Sequence, residues 1–248
     1  GVWPPPDEET NQTQTEQPKE VPLNADFSIN KPSLKLSLNP GQNSTEKIVI
    51  KNTGEKSIRI TIFVPPVLED FAMVSEESFL LKPGKEKTVE IEFKIPNTAK
   101  FNVYTGNILI RGLGIEKTIS ITLEIESKDS LFDISLKIPS EFTTMNPGKN
   151  ITANIEVIDI GEAGLVDVII STAIKDFEGK IIAEKTETLS VNQKLNFNQT
   201  LEIPHNTKPG KYIMYSMITY DEKSATSSQE FEIKGNYPWE MIILICLI

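Results

Sequence analysis

From Ser33 onward apolar and polar residues alternate along the chain. "SLKLSL" places Leu34, Leu36 and Leu38 on one side, "EKIVIKN" Ile48 and Ile50, and "SIRITIFV" Ile58, Ile60, Ile62 and Val64. "TVEIEFKI" sets Val89, Ile91, Phe93 and Ile95 against Glu90, Glu92 and Lys94, and "TISITLEI" repeats the pattern with Ile119, Ile121, Leu123 and Ile125. A period of two predicts strands with one buried and one solvated face. No stretch of similar length carries a helical stripe. The turn signals "NPG", "NTGEK", "KPGK" and "GLG" separate the runs. About seven short strands at this spacing predict an antiparallel sandwich.

The pattern then restarts. "LFDISLKI" presents Phe132, Ile134, Leu136 and Ile138, and "NPGKNIT" (Asn146–Thr152) follows as "NPGQNST" (Asn39–Thr45) did earlier. Pro96 and Tyr104 recur as Pro204 and Tyr212, each 108 positions on, and Asn39 recurs as Asn146, 107 on. A repeat this long marks duplicated domains, since solenoid units run to about 20–50 residues. In the shared turn Pro fixes φ at the second position and Gly supplies positive φ at the third, a type II reversal between the first two long strands. The short polar stretch Ser127–Ser130 is the joint, predicted to hold the sandwiches end to end with limited swing. The fold class is therefore all-β. Sandwich 1 spans 27–127 and sandwich 2 spans 128–234. Residues 1–26, rich in Pro, Gln, Thr and acids, are expected to form a disordered tether. Residues 235–248 turn apolar from Met241, after Tyr237 and Trp239, residue types favoured at a membrane interface. They are read as the start of a transmembrane helix, because eight apolar residues fall short of the roughly 20 that span a bilayer.

A net charge of −10 argues against nucleic acid and against an anionic lipid surface as partner. Cys246 is the one cysteine, so no intramolecular disulfide framework exists. The one histidine, His205, sits in an expected loop with no G-x-S-x-G turn, and is read as a surface residue rather than part of a triad. No zinc or EF-hand spacing occurs, and the acidic pairs Glu69–Asp70 and Glu76–Glu77 read as solvated charge. No catalytic, metal or cofactor residues are assigned, and the chain is expected not to be an enzyme. Tyr212, Tyr215 and Tyr220 share "YIMYSMITY", where alternation puts Tyr212, Met214, Ile218 and Tyr220 on one face and Tyr215 and Met217 on the other. Packing rather than a sugar platform is expected. Candidate glycosylation acceptors in N-x-[ST] triplets are Asn11, Asn43, Asn150 and Asn198.

Pro40–Gly41, Asn52–Thr53–Gly54, Pro65 and Pro83–Gly84, in that order, resemble the NEW3-type immunoglobulin-like family. Residues 131–233 resemble a CARDB-like module, with a central hairpin at Glu178–Gly179, although "DIGEAG" replaces the Asn-Thr-Gly form. The resemblance implies accessory domains of prokaryotic surface proteins or secreted glycosidases, and brings no catalytic residue with it. The expected function is a non-enzymatic cell-surface protein held in the membrane through its C-terminus. Its β-domains would lie outside as a rod-like stalk, adhesion or assembly module, with protein or glycan partners. The rival expectations are a carbohydrate-binding module of a larger secreted enzyme and an intracellular scaffold resembling the major-sperm-protein sandwiches.

Overall fold

The computed structural model describes residues 24–235 together with Gly1. Asn11, Tyr237, Trp239 and Cys246, and the expected tether and membrane segment, lie outside the described residues apart from their innermost positions. The first sandwich runs through β1 (Phe27–Ile29), β2 (Ser33–Leu38), β3 (Asn43–Asn52), β4 (Ile58–Phe63), β5 (Ala72–Val74), β6 (Ser78–Leu81), β7 (Glu86–Lys94), β8 (Asn102–Gly112) and β9 (Ile115–Ile125). Its sheets are ordered β1-β3-β7-β5 and β2-β9-β8-β4-β6. The second runs through β10 (Phe132–Lys137), β11 (Thr144–Met145), β12 (Asn150–Asp159), β13 (Val166–Asp176), β14 (Ile181–Val191), β15 (Lys194–Glu202), β16 (Gly210–Tyr220) and β17 (Lys223–Ile233), ordered β10-β12-β15 and β11-β17-β16-β13-β14. Pairing is antiparallel except where β2 meets β9 and β11 meets β17. Apart from the short β5, which has no counterpart in the second sandwich, the two orders correspond, which is the structural form of the sequence repeat.

The alternation puts the expected residues inside. Ile48, Ile50, Ile60, Ile91, Phe93, Ile110 and Ile121 are buried in the first core, and Phe132, Ile134, Ile155, Ile170 and Met214 in the second. At roughly 1.5–3 kcal/mol per buried large apolar side chain, these two cores are the main favourable term holding each sandwich.

Two repeated details show how sequence fixes geometry. Gly41 and Gly148 have φ of 81° and 75°, and each donates its N–H to a carbonyl beyond the turn, Ile95 and Ile203, at 2.8 Å. The turn does not fold β2 back onto β3 as a hairpin: β2 belongs to one sheet and β3 to the other, so the reversal crosses between layers. Pairing at a tight Pro-Gly turn is the simplest reading of a sequence, but β2 finds its partner in β9 instead. The second detail is a tyrosine that ties down a loop. Tyr104 donates its hydroxyl to Lys100 O at 3.2 Å and Tyr212 to Lys208 O at 2.8 Å, the same four-residue reach in both domains.

The sandwiches are not joined end to end. The outer face of the β8–β9 region lies against the outer face of the β13–β16–β17 sheet, giving four stacked layers. Val103 packs with Ala173, Phe177, Ile213 and Tyr215 in a third buried cluster that belongs to both domains. The physical reason is the side chains on that face. Ser120, Thr122, Ser224, Thr226 and Ser228 are small and buried, and short hydroxyl side chains let two sheets approach where long charged ones would hold them apart. The joint itself is pinned, with Ser127 N donating to Ser224 O at 2.8 Å and Ser224 N donating to Ser127 Oγ at 2.9 Å.

Candidate functional site

The seam between the sandwiches holds the most unusual chemistry of the described residues. Lys175 is buried on β13, donates its ammonium to Val103 O at 2.5 Å, and lies 5.1 Å from the centre of the Tyr215 ring. Burial holds its pKa below the ordinary lysine value, with the neighbouring Asp176 carboxylate acting the other way. Burial likewise pushes the Tyr215 phenol up, aided by Glu184. Nearby, Thr105 donates its hydroxyl to Asp176 O at 2.6 Å. Further along, the Glu124 carboxylate, only 4% exposed, sits 3.0 Å from Lys35 Nζ, which also donates to Ser228 O at 2.6 Å. Thr226 N donates to Glu126 Oε2 at 3.1 Å. Each contact joins one sandwich to the other or supports one that does. These directional contacts cross between the sandwiches at several separate points along the seam.

Where the seam opens, it leaves a cleft of about 660 Å³ between Asn107, Thr118 and Ser120 on one side and Asp176, Lys180, Lys208, Lys211 and Tyr212 on the other. Two of its charges, Asp176 and Lys211, are engaged within the protein. Asp176 Oδ1 accepts from Glu178 N at 2.9 Å and Lys180 N at 2.8 Å, closing the β13–β14 turn, and Lys211 pairs with Glu230 at 2.7 Å. The Tyr212 hydroxyl holds its loop. The lining offers hydrogen bonds to a polar molecule but no nucleophile paired with a base.

Among the residues singled out by sequence, His205 is exposed and its ring covers the second Pro-Gly turn, where a Cβ on Gly148 would overlap the imidazole. Asn97, its counterpart 108 positions earlier, covers Gly41 in the same way. Glu69 follows the 3-10 turn Pro66–Leu68, Glu76 pairs with Lys87, and no group of three or more His, Cys, Asp or Glu side chains suited to a metal occurs among the described residues. Both faces of β16 are covered: Tyr212, Met214 and Ile218 lie in the second core, Tyr220 packs against it, and Tyr215 lies in the seam. Asn43, Asn150 and Asn198 are exposed at β3, β12 and β15, in the two sheets remote from the seam. Thr152 and Thr200, the third residues of two of these triplets, face each other with hydroxyls 2.8 Å apart. The free edge of β14 carries Lys185 and Glu187 on its core side, 3.1 Å apart, a device that discourages strand addition there. No helix among the described residues is long and apolar enough to cross a membrane.

No family model matches the chain, and no curated protein matches it. Solved structures resemble it at the level of the fold. A protein of unknown function from Porphyromonas gingivalis W83 is 11% identical, covers 83% of this chain and 99% of its own, and aligns with a TM-score of 0.48. The CARDB domain of a Pyrococcus furiosus protein, solved in complex with di-metal ions, is 11% identical over 42% of this chain and 87% of its own, with a TM-score of 0.31. The CupB2 chaperone of Pseudomonas aeruginosa is 8% identical, over 82% of this chain and 99% of its own, with a TM-score of 0.34. The immunoglobulin-like architecture is read from the strand order above.

Proposed function

We propose that this chain is a non-enzymatic, membrane-anchored cell-surface protein whose paired sandwiches serve as a stalk, adhesion or assembly module. In this reading sandwich 1 is of the NEW3 type and sandwich 2 of the CARDB type. The observation that carries it is the seam. The polar groups that could do chemistry, Lys175, Asp176, Glu124 and Tyr212, are occupied in holding the sandwiches or their loops in place. A molecule built this way presents surfaces in a fixed relation, which is what spacing and adhesion require. The apolar run from Met241, preceded by Tyr237 and Trp239, supports attachment through that end. The exposed Asn43, Asn150 and Asn198 suit an exterior location.

The test is fractionation of cells that carry the native protein, followed by protease treatment of intact cells. Recovery in the membrane fraction, with the sandwiches cleaved or shed from outside, is the expected result. Protein found wholly in the cytosol and protected from protease would end the surface reading.

A further inference from the structure

The chain has only two arginines, Arg59 and Arg111, against 23 lysines, and the fold brings both to one groove. They lie on the outer face of the β4–β8 pair, beyond the part covered by the second sandwich. Thr61 pairs directly with Arg111, and Arg59 stands two residues away on the same face. The groove, of about 390 Å³, is floored by Thr61 and bounded by the β8–β9 hairpin. Arg111 is held in place: its Nε donates to Glu116 at 2.6 Å and its guanidinium lies over the Phe63 ring at 5.3 Å. Both Nη groups of Arg111 are left without a protein hydrogen bond among the described residues. Arg59 has no ion-pair partner among them either.

The hairpin beside the arginines is built against local preference. Leu113 and Gly114 form a two-residue loop with φ of 49° and 79°, a type I′ geometry that favours Asn, Asp or Gly at its first position. The equivalent loop of the second sandwich has Asp221 and Glu222 at φ of 49° and 60°. Leu113 is thus strained, and it is also 56% exposed. Leu80, register partner of Arg59, is 56% exposed and Phe63 is 45% exposed on the same face. Strain and apolar exposure at one spot point to contact with something absent from the isolated molecule.

We propose that this groove docks an acidic peptide segment that carries aliphatic side chains. Guanidinium forks bind carboxylates in two-point contacts, which the more numerous lysines elsewhere on this acidic surface cannot make. Leu80, Leu113 and Phe63 favour aliphatic neighbours over the hydroxyl-rich faces of an acidic saccharide. Arginine flanked by apolar anchors is the composition of an interface hot spot. The inference does not depend on membrane attachment, so the fractionation experiment and the one below can fail separately.

The experiment uses the full chain, labelled with nitrogen-15, and titrates it with an acetylated Leu-Glu-Glu-Leu-Glu-Glu peptide at low salt. With two arginines, the Nε–Hε region contains two side-chain signals. Both are expected to shift in a saturable manner, and Arg59→Lys or Arg111→Lys should weaken binding about tenfold while keeping the charge. Leu113→Asn should weaken it without lowering the melting temperature. Unmoved signals, or undiminished binding by Arg59→Lys, would overturn the proposal. So would a trigalacturonate that shifts the same two signals at lower concentration than the peptide, since that outcome assigns the groove to an acidic saccharide.

Discussion

The two sandwiches solve the same problem differently at the end of the strand after the Pro-Gly turn. In the first, Asn52 is fully buried; its amide donates to Lys56 O at 2.7 Å and Leu81 O at 2.8 Å, while its Oδ1 accepts from Gly54 N at 3.0 Å. In the second, Asp159 stands 107 positions on, half-buried, with Oδ1 accepting from Gly161 N at 3.0 Å and Oδ2 from Gly164 N at 3.1 Å. An amide serves both acceptor and donor needs of a buried corner. A carboxylate can only accept, so the second corner stays wetter and lets its loop bulge outward through "GEAG". The departure from Asn-Thr-Gly is thus a change in hydrogen-bond polarity, not the loss of the turn.

Exchanging the two residues is the sharpest way to break that comparison. Asn52→Asp should destabilise the protein by about 3 kcal/mol, because the buried Leu81 carbonyl and the part-buried Lys56 carbonyl lose their donors and face a carboxylate instead. Asp159→Asn, which keeps one acceptor at an accessible site, should cost about 1 kcal/mol. Urea denaturation of each variant reads the difference, and equal losses would contradict the account. The Pro-Gly turns come next. Gly148→Ala and Gly41→Ala both force an L side chain into positive φ, worth about 1–2 kcal/mol. Gly148→Ala should cost more, since its Cβ meets a rigid imidazole rather than the end of the Asn97 amide. His205→Ala in that background should restore part of the loss, whereas His205→Ala alone should change stability by less than about 0.5 kcal/mol.

The seam gives a pH signature that neither core should show. Because burial lowers the Lys175 pKa below its ordinary 10.5, the unfolded chain binds more protons between the lowered value and 10.5. Stability relative to Lys175→Met should therefore rise with pH through that window and level off above it. Tyr215, raised by burial, works the other way above its ordinary value of 10.0, so the rise due to the lysine is read below that pH. A difference curve from thermal melts across about pH 8 to 11 isolates the lysine. At the hairpins the two sandwiches should respond with opposite sign: Leu113→Asn should stabilise by about 1 kcal/mol, and Asp221→Leu should destabilise by as much.

What could be read in the sequence was whatever obeys a local rule. Alternation located β2, β3, β4, β7, β9, β10 and β16, because one face of each meets a core, while the short β1, β5, β6 and β11 hold too few positions to show it. The two Pro-Gly turns exposed the duplication because only such residues make that geometry. The paired tyrosines Tyr104 and Tyr212 marked the repeat before their shared hydrogen bond explained it. The docking of the sandwiches was hidden for an equally physical reason. Ser120, Thr122 and Glu124 alternate with core residues on β9, and a polar face reads as a wet face. Its burial depends on an equally polar face some hundred residues away, Ser224 to Ser228, and no local pattern announces that two hydroxyl-rich sheets will meet. Lys175 looks like any solvated lysine in the sequence, and only Val103 O and Tyr215 around it make it unusual. The arginine groove leaves no local signal because Arg59 and Arg111 come from strands some fifty residues apart.

The parallel pairing of each sandwich's early strand with its last has a mechanical consequence. In the first sandwich β2 and β9 run side by side through six register pairs, Ser33–Leu38 against Ser120–Ile125. Tension applied at the entry and exit of that domain pulls the strands past one another lengthwise, so the bonds between them bear load together rather than opening one at a time. In the second sandwich the corresponding pair, β11 and β17, has two register positions, Thr144 with Glu232 and Met145 with Ile233. Between these two pairs, β11–β17 is expected to part at the lower force, because fewer bonds share the load.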